Sequence, residues 1–406
     1  MTTSQEAAAA QLFLDEAALE KRRRRNRIRH EAVQIGIIVA VTALAALFAL
    51  AVKNGLARHG IRFSFSFLWN VAGFDISEGK TLAFDNGAWP SLTDFTADRS
   101  IAQAFVTGLA NTVKISILAI VFSTVLGTAL GIGRLSTNWL VRNISFWVVE
   151  FVRNTPLLIQ LVFWYFAVIL RFPPLASAAK LYGGFIISRQ SIYLPTIVWQ
   201  EGASGGSILM LAVAVALACA AIAVRQPKVR WTLAAAAAAL FLLMQAYGAP
   251  ISLDYPVASR FQATGGTSMS PEMAAILLAI VVNSGAYIAE IVRGAIEALP
   301  KGQWEAAVSL GMSRRTTIHD IILPQAFRVV LPSFGNQYIS LTKNTALGIA
   351  IGYPELFNIY GTIANQTGHS LEGIVIVMLS YLLLSWIISA VVSFVDGRLT
   401  KQGAMR

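Results

Sequence analysis

The chain has 406 residues, 56% of them hydrophobic and 13% charged, with a formal net charge of +11. Soluble domains carry roughly 25% charged residues, so an ordinary soluble protein is disfavoured, and the high hydrophobicity excludes disorder. A single cysteine, Cys219, excludes an internal disulfide or a cysteine-based zinc site.

In chain order, residues 1–30 are polar and end in the run Lys21-Arg22-Arg23-Arg24-Arg25-Asn26-Arg27-Ile28-Arg29. The following 31–52 holds Ala32–Val52, 21 residues without a charge. A signal peptide has an apolar region of roughly 7–15 residues, so this segment reads as an uncleaved anchor. The basic run then sits at the anionic inner surface, and no nucleic acid is needed to explain it. Residues 53–103 form an outer loop. Within it Gly79-Lys80-Thr81 resembles the end of a phosphate-binding loop, but Phe74 occupies the position where the motif needs glycine.

A helix needs about 20 apolar residues to cross a bilayer. Beyond the anchor, seven runs qualify: Ile115–Gly133, Asn154–Leu170, Ile208–Val224, Trp231–Ala249, Met273–Ala289, Val329–Pro354 and Gly373–Val395. The runs are apolar all round, unlike the helices of a soluble core. Eight spans with the N-terminus inside put 21 of the 32 Lys and Arg on five inside segments and nine on outside segments. That bias agrees with the positive-inside rule, and an odd number of spans would break it. Both termini, including the tail 397–406, are then cytoplasmic.

Two Gly-x-x-x-Gly pairs, Gly127–Gly131 and Gly348–Gly352, lie in spans and suit close helix packing. The histidines His30, His59, His319 and His369 are scattered without metal spacing, and no Gly-x-Ser-x-Gly elbow occurs. Polar residues inside spans mark a candidate passage: Asn283, Glu290, Gln337, Lys343 and Asn344. Asn111 and Lys114 are weaker candidates near the outer interface, where lysine can snorkel. Glu290 could instead pair with Arg293 three residues on. Lys343 could serve a structural pair, a gating contact or a substrate carboxylate.

The segment 293–328, between two spans, is the most specific. Pro300 and Gly302 break the chain before a short helix over Gln303–Leu310, where Ala306 and Ala307 permit close approach. Gly311 suits a left-handed stop, Ser313 a helix cap, and Pro324 an interruption of the next helix. A plain amphipathic connection would use the same residue types.

Glu305-Ala306-Ala307, then Gly311, then Ile321-x-Leu323-Pro324, resembles the EAA loop of ABC-importer permeases. Glu150-x-x-Arg153-Asn154-Thr155-Pro156-Leu157-Leu158-x-Gln160, Ser284-Gly285-Ala286-Tyr287-Ile288-Ala289-Glu290 and Lys343-Asn344-Thr345 resemble the polar amino acid branch of that family. The long outer loop gives a narrower likeness to general L-amino acid transporter permease subunits. The resemblance implies an all-α polytopic membrane protein with a five-helix type I importer core in 104–172 and 271–396. The anchor is then an addition, and 173–270 an insertion carrying two extra spans, a pair that preserves the orientation of the later spans. Asn154 stands where many relatives have glycine.

The resemblance further implies that Glu305, Ala306, Ala307, Gly311, Ile321, Leu323 and Pro324 couple this chain to an ATP-binding subunit. Two such subunits would carry ATP and Mg, and this chain would bind no cofactor and catalyse no reaction. A second related permease and a periplasmic substrate-binding protein complete the expected complex, in the inner membrane of a bacterium, with an L-amino acid as substrate. An ion-coupled secondary transporter is the alternative; it predicts inverted repeats, whereas the coupling segment occurs once. A membrane enzyme would need a converging catalytic set that is absent.

Overall fold

A computed structural model describes Arg25, Arg29 and residues 31–44, 46–48, 50–51, 54–55, 63–83, 91–181, 183–200, 205–224, 226–246, 250–259 and 263–404. Most of the basic run and the rest of 1–30 lie outside the described residues. The chain divides into two units, Met1–Ser66 and Phe67–Arg406. The first contains the apolar helix α1 (Glu31–Phe48).

The second unit is built on α2 (Ile101–Arg134) and α7 (Pro271–Glu297). Each start is chemically marked. Ser100 accepts from the Gln103 amide at 3.3 Å while Gln103 Oε1 accepts from the Ser100 amide at 2.9 Å, a capping box. Ser270 caps α7 with Pro271 at its first position. The two helices pack closely because Gly127 and Gly131 lack side chains. A Cβ on Gly127 would lie 2.6 Å from the Gly285 carbonyl oxygen, and one on Gly131 would lie 2.7 Å from that of Ala289. Small residues let helix backbones approach in this way inside a membrane. Gly127→Leu is therefore expected to prevent assembly of this helix pair, read as loss of monodisperse protein after detergent extraction; normal yield and elution would contradict the packing.

Around this pair lie α3 (Trp139–Arg153), α4 (Leu157–Val162), α10 (Leu323–Asn344), α11 (Leu356–Thr367) and α12 (Ser370–Ala404). Ile115, Ala119, Leu161, Ile276, Ile280 and Leu341 form the main buried cluster. A second cluster joins Phe67, Phe95, Ile101 and Phe105 to Leu356 and Ile359 of α11. The helix end near Ser100 and Ser270 is termed the sheet side below, and the opposite end the loop side.

Among the described residues, five helices are long and apolar enough to cross a membrane, or six if the bent pair α3 and α4 counts as one span. Three of the eight expected spans take a different form. Asn154–Leu170 corresponds to the segment Leu157–Arg171, which passes from α4 through a π-helical turn over Phe163–Val168 to a 3-10 turn over Ile169–Arg171, and α3, expected outside the span, meets it at 104°. Pro156 cannot donate to the preceding turn, so the helix breaks there. Ile208–Val224 becomes α5 (Gly205–Ala223), whose apolar stretch Gly205–Ala221 falls under 18 residues. Val329–Pro354 is also not continuous, since α10 ends at Asn344 and a 3-10 turn over Thr345–Ile351 leads to left-handed Gly352.

The connections carry short strands that hydropathy does not reveal. β1 (Lys80–Ala83) pairs with β2 (Ser91–Asp94). β3 (Ala179–Leu181), β4 (Phe185–Ile187), β5 (Ile192–Leu194) and β10 (Thr267–Met269) form an antiparallel sheet ordered β10-β5-β4-β3. β6 (Thr196–Trp199) pairs with β7 (Ile251–Asp254), with Thr196 opposite Asp254 and Trp199 opposite Ile251. α5 and α6 (Pro227–Ala246) are strung between these last two strands. The chain thus leaves at β6 and returns at β7, and the two helices form an excursion closed at its base. β8 (Val257–Ala258) and β9 (Ala263–Thr264) make a further short pair.

Candidate functional site: a loop-side helix, an ion network and a mid-helix cavity

After α7 the chain turns at Pro300 into α8 (Lys301–Ser309). The Met312 amide bonds the Ala307 carbonyl at 3.0 Å and the Gly311 amide that of Val308 at 2.9 Å. With Gly311 at φ +69°, this is a Schellman stop. Ser313 then caps α9 (Arg314–Thr316), accepting from the Thr316 amide at 3.2 Å. A π-helical turn over Thr317–Ile322 follows, and α10 begins with Pro324 in its first turn. Proline at 324 removes a donor and crowds the carbonyl four residues back, which a wider turn relieves.

α8 has two unlike faces. Ala307 is buried, while Glu305 and Ala306 are exposed. Val308 and Leu310 are 73% and 77% exposed. These two were not anticipated, although apolar residues in a charged connection were the available signal. Ile321 is half-buried and packs with Ile322, Ala326, Val292 and Ile296, which seats the loop on α7. Arg314 Nη2 donates to the Leu135 carbonyl at 3.1 Å, tying α9 to the α2–α3 turn. Leu323 and Pro324 place only their backbone here, and their side chains lie outside the described residues.

Where α2, α3 and α7 converge on the loop side, their charges form one network. Arg134, its side chain 9% exposed, donates to Glu290 Oε2 at 2.6 Å and to Glu150 Oε1 at 3.3 Å. Glu290 also pairs with Arg293, which pairs in turn with Glu297. Arg153 stands 3.7 Å from Glu290 and 3.8 Å from Glu150. Glu290 thus holds three helices together, and the expected Glu290–Arg293 pair is one part of a larger set. Arg134 and Glu150 were not singled out for this role; nothing in linear spacing brings positions 134, 150 and 290 together.

One turn toward the sheet side, the α3–α4 break opens a cavity of about 480 Å³ against α7 and α10. Its polar lining includes Arg153, Asn154, Asn283, Tyr287, Gln337 and Asn344. The break is stabilised locally: the Gln160 side chain, 8% exposed, donates to the carbonyls of Val152 and Thr155, both at 2.9 Å. These carbonyls lost their helical partners at the bend, and buried acceptors need replacements. The Arg153 guanidinium lies over the Tyr287 ring at 5.6 Å, and its Nε has no hydrogen-bond partner.

The cavity gathers three of the five candidate passage residues, Asn283, Gln337 and Asn344. Glu290 stands apart in the ion network, and Lys343 lies in a different groove. Asn111 and Lys114 are structural: Asn111 donates to the carbonyls of Glu78 and Pro354, both at 2.8 Å, and Lys114 pairs with Glu78 at 2.7 Å. Among the described residues no group of three or more His, Cys, Asp or Glu could hold a metal ion.

A bundle of apolar helices, one broken beside a polar cavity, with a capped helix exposed at one end, has the form of a membrane transport subunit. Residues 119–401 match the family described as binding-protein-dependent transport system inner membrane component, and the chain belongs to that family. It is 36% identical over 377 residues to the putative amino-acid ABC transporter permease protein YhdX of Escherichia coli, covering 90% of this chain and 93% of the relative. It is 32% identical over 375 residues to the general L-amino acid transport system permease protein AapQ of Rhizobium johnstonii, covering 90% and 91%. The glutamate/glutamine/aspartate/asparagine transport system permease protein BztB of Rhodobacter capsulatus is 33% identical over 409 residues, covering 90% and 92%. The chain is thus an amino-acid ABC transporter permease subunit, a multi-pass membrane protein of a permease rather than an enzyme family.

Proposed function

We propose that this chain carries L-amino acids across a bacterial inner membrane, driven through α8 by a separate ATPase. The observation that carries the reading is the two-faced α8, which turns Glu305, Ala306, Val308 and Leu310 outward from a frame fixed by Ala307 and Ile321. An apolar ridge beside a carboxylate suits a cleft on a soluble partner. Leu323 and Pro324 begin the helix that leads from that frame to the cavity. Two ATP-binding subunits holding ATP and Mg, a second related permease and a periplasmic binding protein complete the complex. The positive-inside bias supports cytoplasmic termini and a cytoplasmic α8.

Movement of α8 would reach the cavity along two routes. α7 carries both Glu290 of the ion network and Asn283 of the cavity, and α10 carries Gln337 and Asn344. Switching between inward- and outward-facing states is then a two-state equilibrium biased by ATP binding. Substrate meets amide and phenol groups in the cavity, with Arg153 the cation available to a carboxylate. The break between α3 and α4 leaves backbone polar groups beside the cavity, the arrangement in which irregular backbone is tolerated at membrane depth. Lys343 and Glu290 remain passage candidates only through motion that this arrangement does not require.

Single cysteines at Asn283 and Gln337 test the passage. Amino acid substrate in the assembled complex is expected to slow thiol modification at both positions severalfold. Unchanged rates at both would remove the cavity from the pathway. Co-purification tests the class: an ATPase and a second permease should accompany this chain, whereas an ion-coupled carrier would purify without them.

A further inference from the structure

A groove of about 570 Å³ opens between α10, α11 and α12, lined among others by Lys343, Phe357, Met378, Leu382 and Ser385. The polar cavity takes the neighbouring positions Gln337, Ser340 and Asn344, about a quarter turn round α10 from Lys343. Counting from Ser370 at 1.5 Å per residue, Met378 to Ser385 sit about 12–22 Å along α12. In a hydrocarbon layer about 30 Å thick that is near the middle. Lys343 is exposed there, in a groove otherwise mostly apolar. An ammonium at that depth is costly and takes an anionic or polar partner.

Among the described residues, no hydrogen bond or ion pair reaches the Lys343 ammonium. The carboxylates within or beside the spans have other partners or lie at another depth, as does Asp396, about 16 Å further along α12 than Ser385. Glu355, next to the groove, is buried and accepts from the amides of Phe357 and Asn358 and from the Tyr381 hydroxyl. Glu272 accepts from Tyr165 at 2.8 Å, Glu78 pairs with Lys114, Glu372 meets His369, and Glu150 and Glu290 hold Arg134. A second copy of this chain therefore brings no described carboxylate to the groove, and brings a second lysine.

We infer that the Lys343 groove seats a transmembrane helix of a second, non-identical permease whose carboxylate, at matching depth, pairs with Lys343. This rests on the permease reading above and adds the contact face and its chemistry. The flanking face of α12 fits such a partner: Met378, Leu382 and Trp386 are 65%, 66% and 67% exposed and align at four-residue spacing. Lipid could cover those three side chains, but lipid tails offer nothing to the ammonium.

The test places a photoreactive benzoylphenylalanine at Met378 in the full complex and compares Lys343→Met and Lys343→Glu. The expected adduct is a helix of the second permease, mapped within about one turn of an Asp or Glu. Lys343→Glu should lower recovery of that subunit at least tenfold, while the ATPase stays bound as evidence of folding. Changing the mapped carboxylate to lysine should restore recovery. Adducts confined to lipid or to a second copy of this chain would overturn the inference, as would full pairing in both Lys343 variants. Substrate protection of a cysteine at 343 would also overturn it and place the passage there. Loss of the ATPase from the unmodified complex would instead overturn the permease reading itself.

Discussion

Gly311→Val should cut ATP-driven amino acid uptake at least tenfold while the complex still assembles and hydrolyses ATP. Gly311 sits at φ +69°, and a Cβ there would meet nothing within 4 Å. The effect is therefore one of backbone conformation and not of collision. A left-handed residue with a side chain costs roughly 1–2 kcal/mol, and more when the side chain is β-branched. The Schellman stop would open, and α8 would lose its fixed angle to Ser313 and α9. Gly311→Asn serves as the control, because asparagine tolerates the left-handed region, and it should keep most of the uptake. Equal loss in both variants would point to steric contact at an interface and not to the turn. Normal uptake in Gly311→Val would remove α8 from the coupling route.

Glu290→Gln should have the largest effect on stability. It leaves Arg134, whose side chain is only 9% exposed, without its shortest partner and weakens the hold on Arg293 and Arg153. Removing one partner of a buried ion pair typically costs about 3–5 kcal/mol, because the remaining charge stays desolvated. Part exposure of Glu290, 26%, puts the expectation at the lower end, about 3 kcal/mol. The check is thermal inactivation in detergent, where the midpoint should fall well below that of the parent. The double variant Glu290→Gln with Arg134→Met should recover part of the loss, since no buried cation is then left at 134. A double variant worse than either single one would show that the two side chains act independently.

The loop-side helix is readable in detail from sequence because its signals are local. Pro300, Gly311 and Ser313 each act through their own backbone geometry, so a break, a left-handed stop and a cap can be assigned without tertiary knowledge. The packing of Gly127 and Gly131 is equally legible, since close approach in a membrane needs small residues wherever the partner lies. Topological features are less accessible. The run Asn154–Leu170 is uncharged and mostly apolar, and hydropathy does not register the 104° bend at its start. Asn154-Thr155-Pro156 is the only trace of it. The cavity depends on that bend, so Arg153 and Tyr287 do not stand out as passage residues although both lie in recognised motifs. The strands of the connections are two to four residues long, too short for a periodic pattern, and only paired turn glycines such as Gly183-Gly184, both at positive φ, hint at them. Lys343 shows the limit from the other direction. Its presence in a span is plain, but the side of α10 it takes depends on the packing of α12.

Amino acids are expected to cross through this chain at the expense of ATP bound elsewhere. Purified complex in proteoliposomes, with binding protein and labelled L-amino acid on one side and ATP on the other, measures it directly. Accumulation should require ATP and binding protein together and persist when all ion gradients are collapsed. Accumulation driven by an ion gradient without ATP would contradict it.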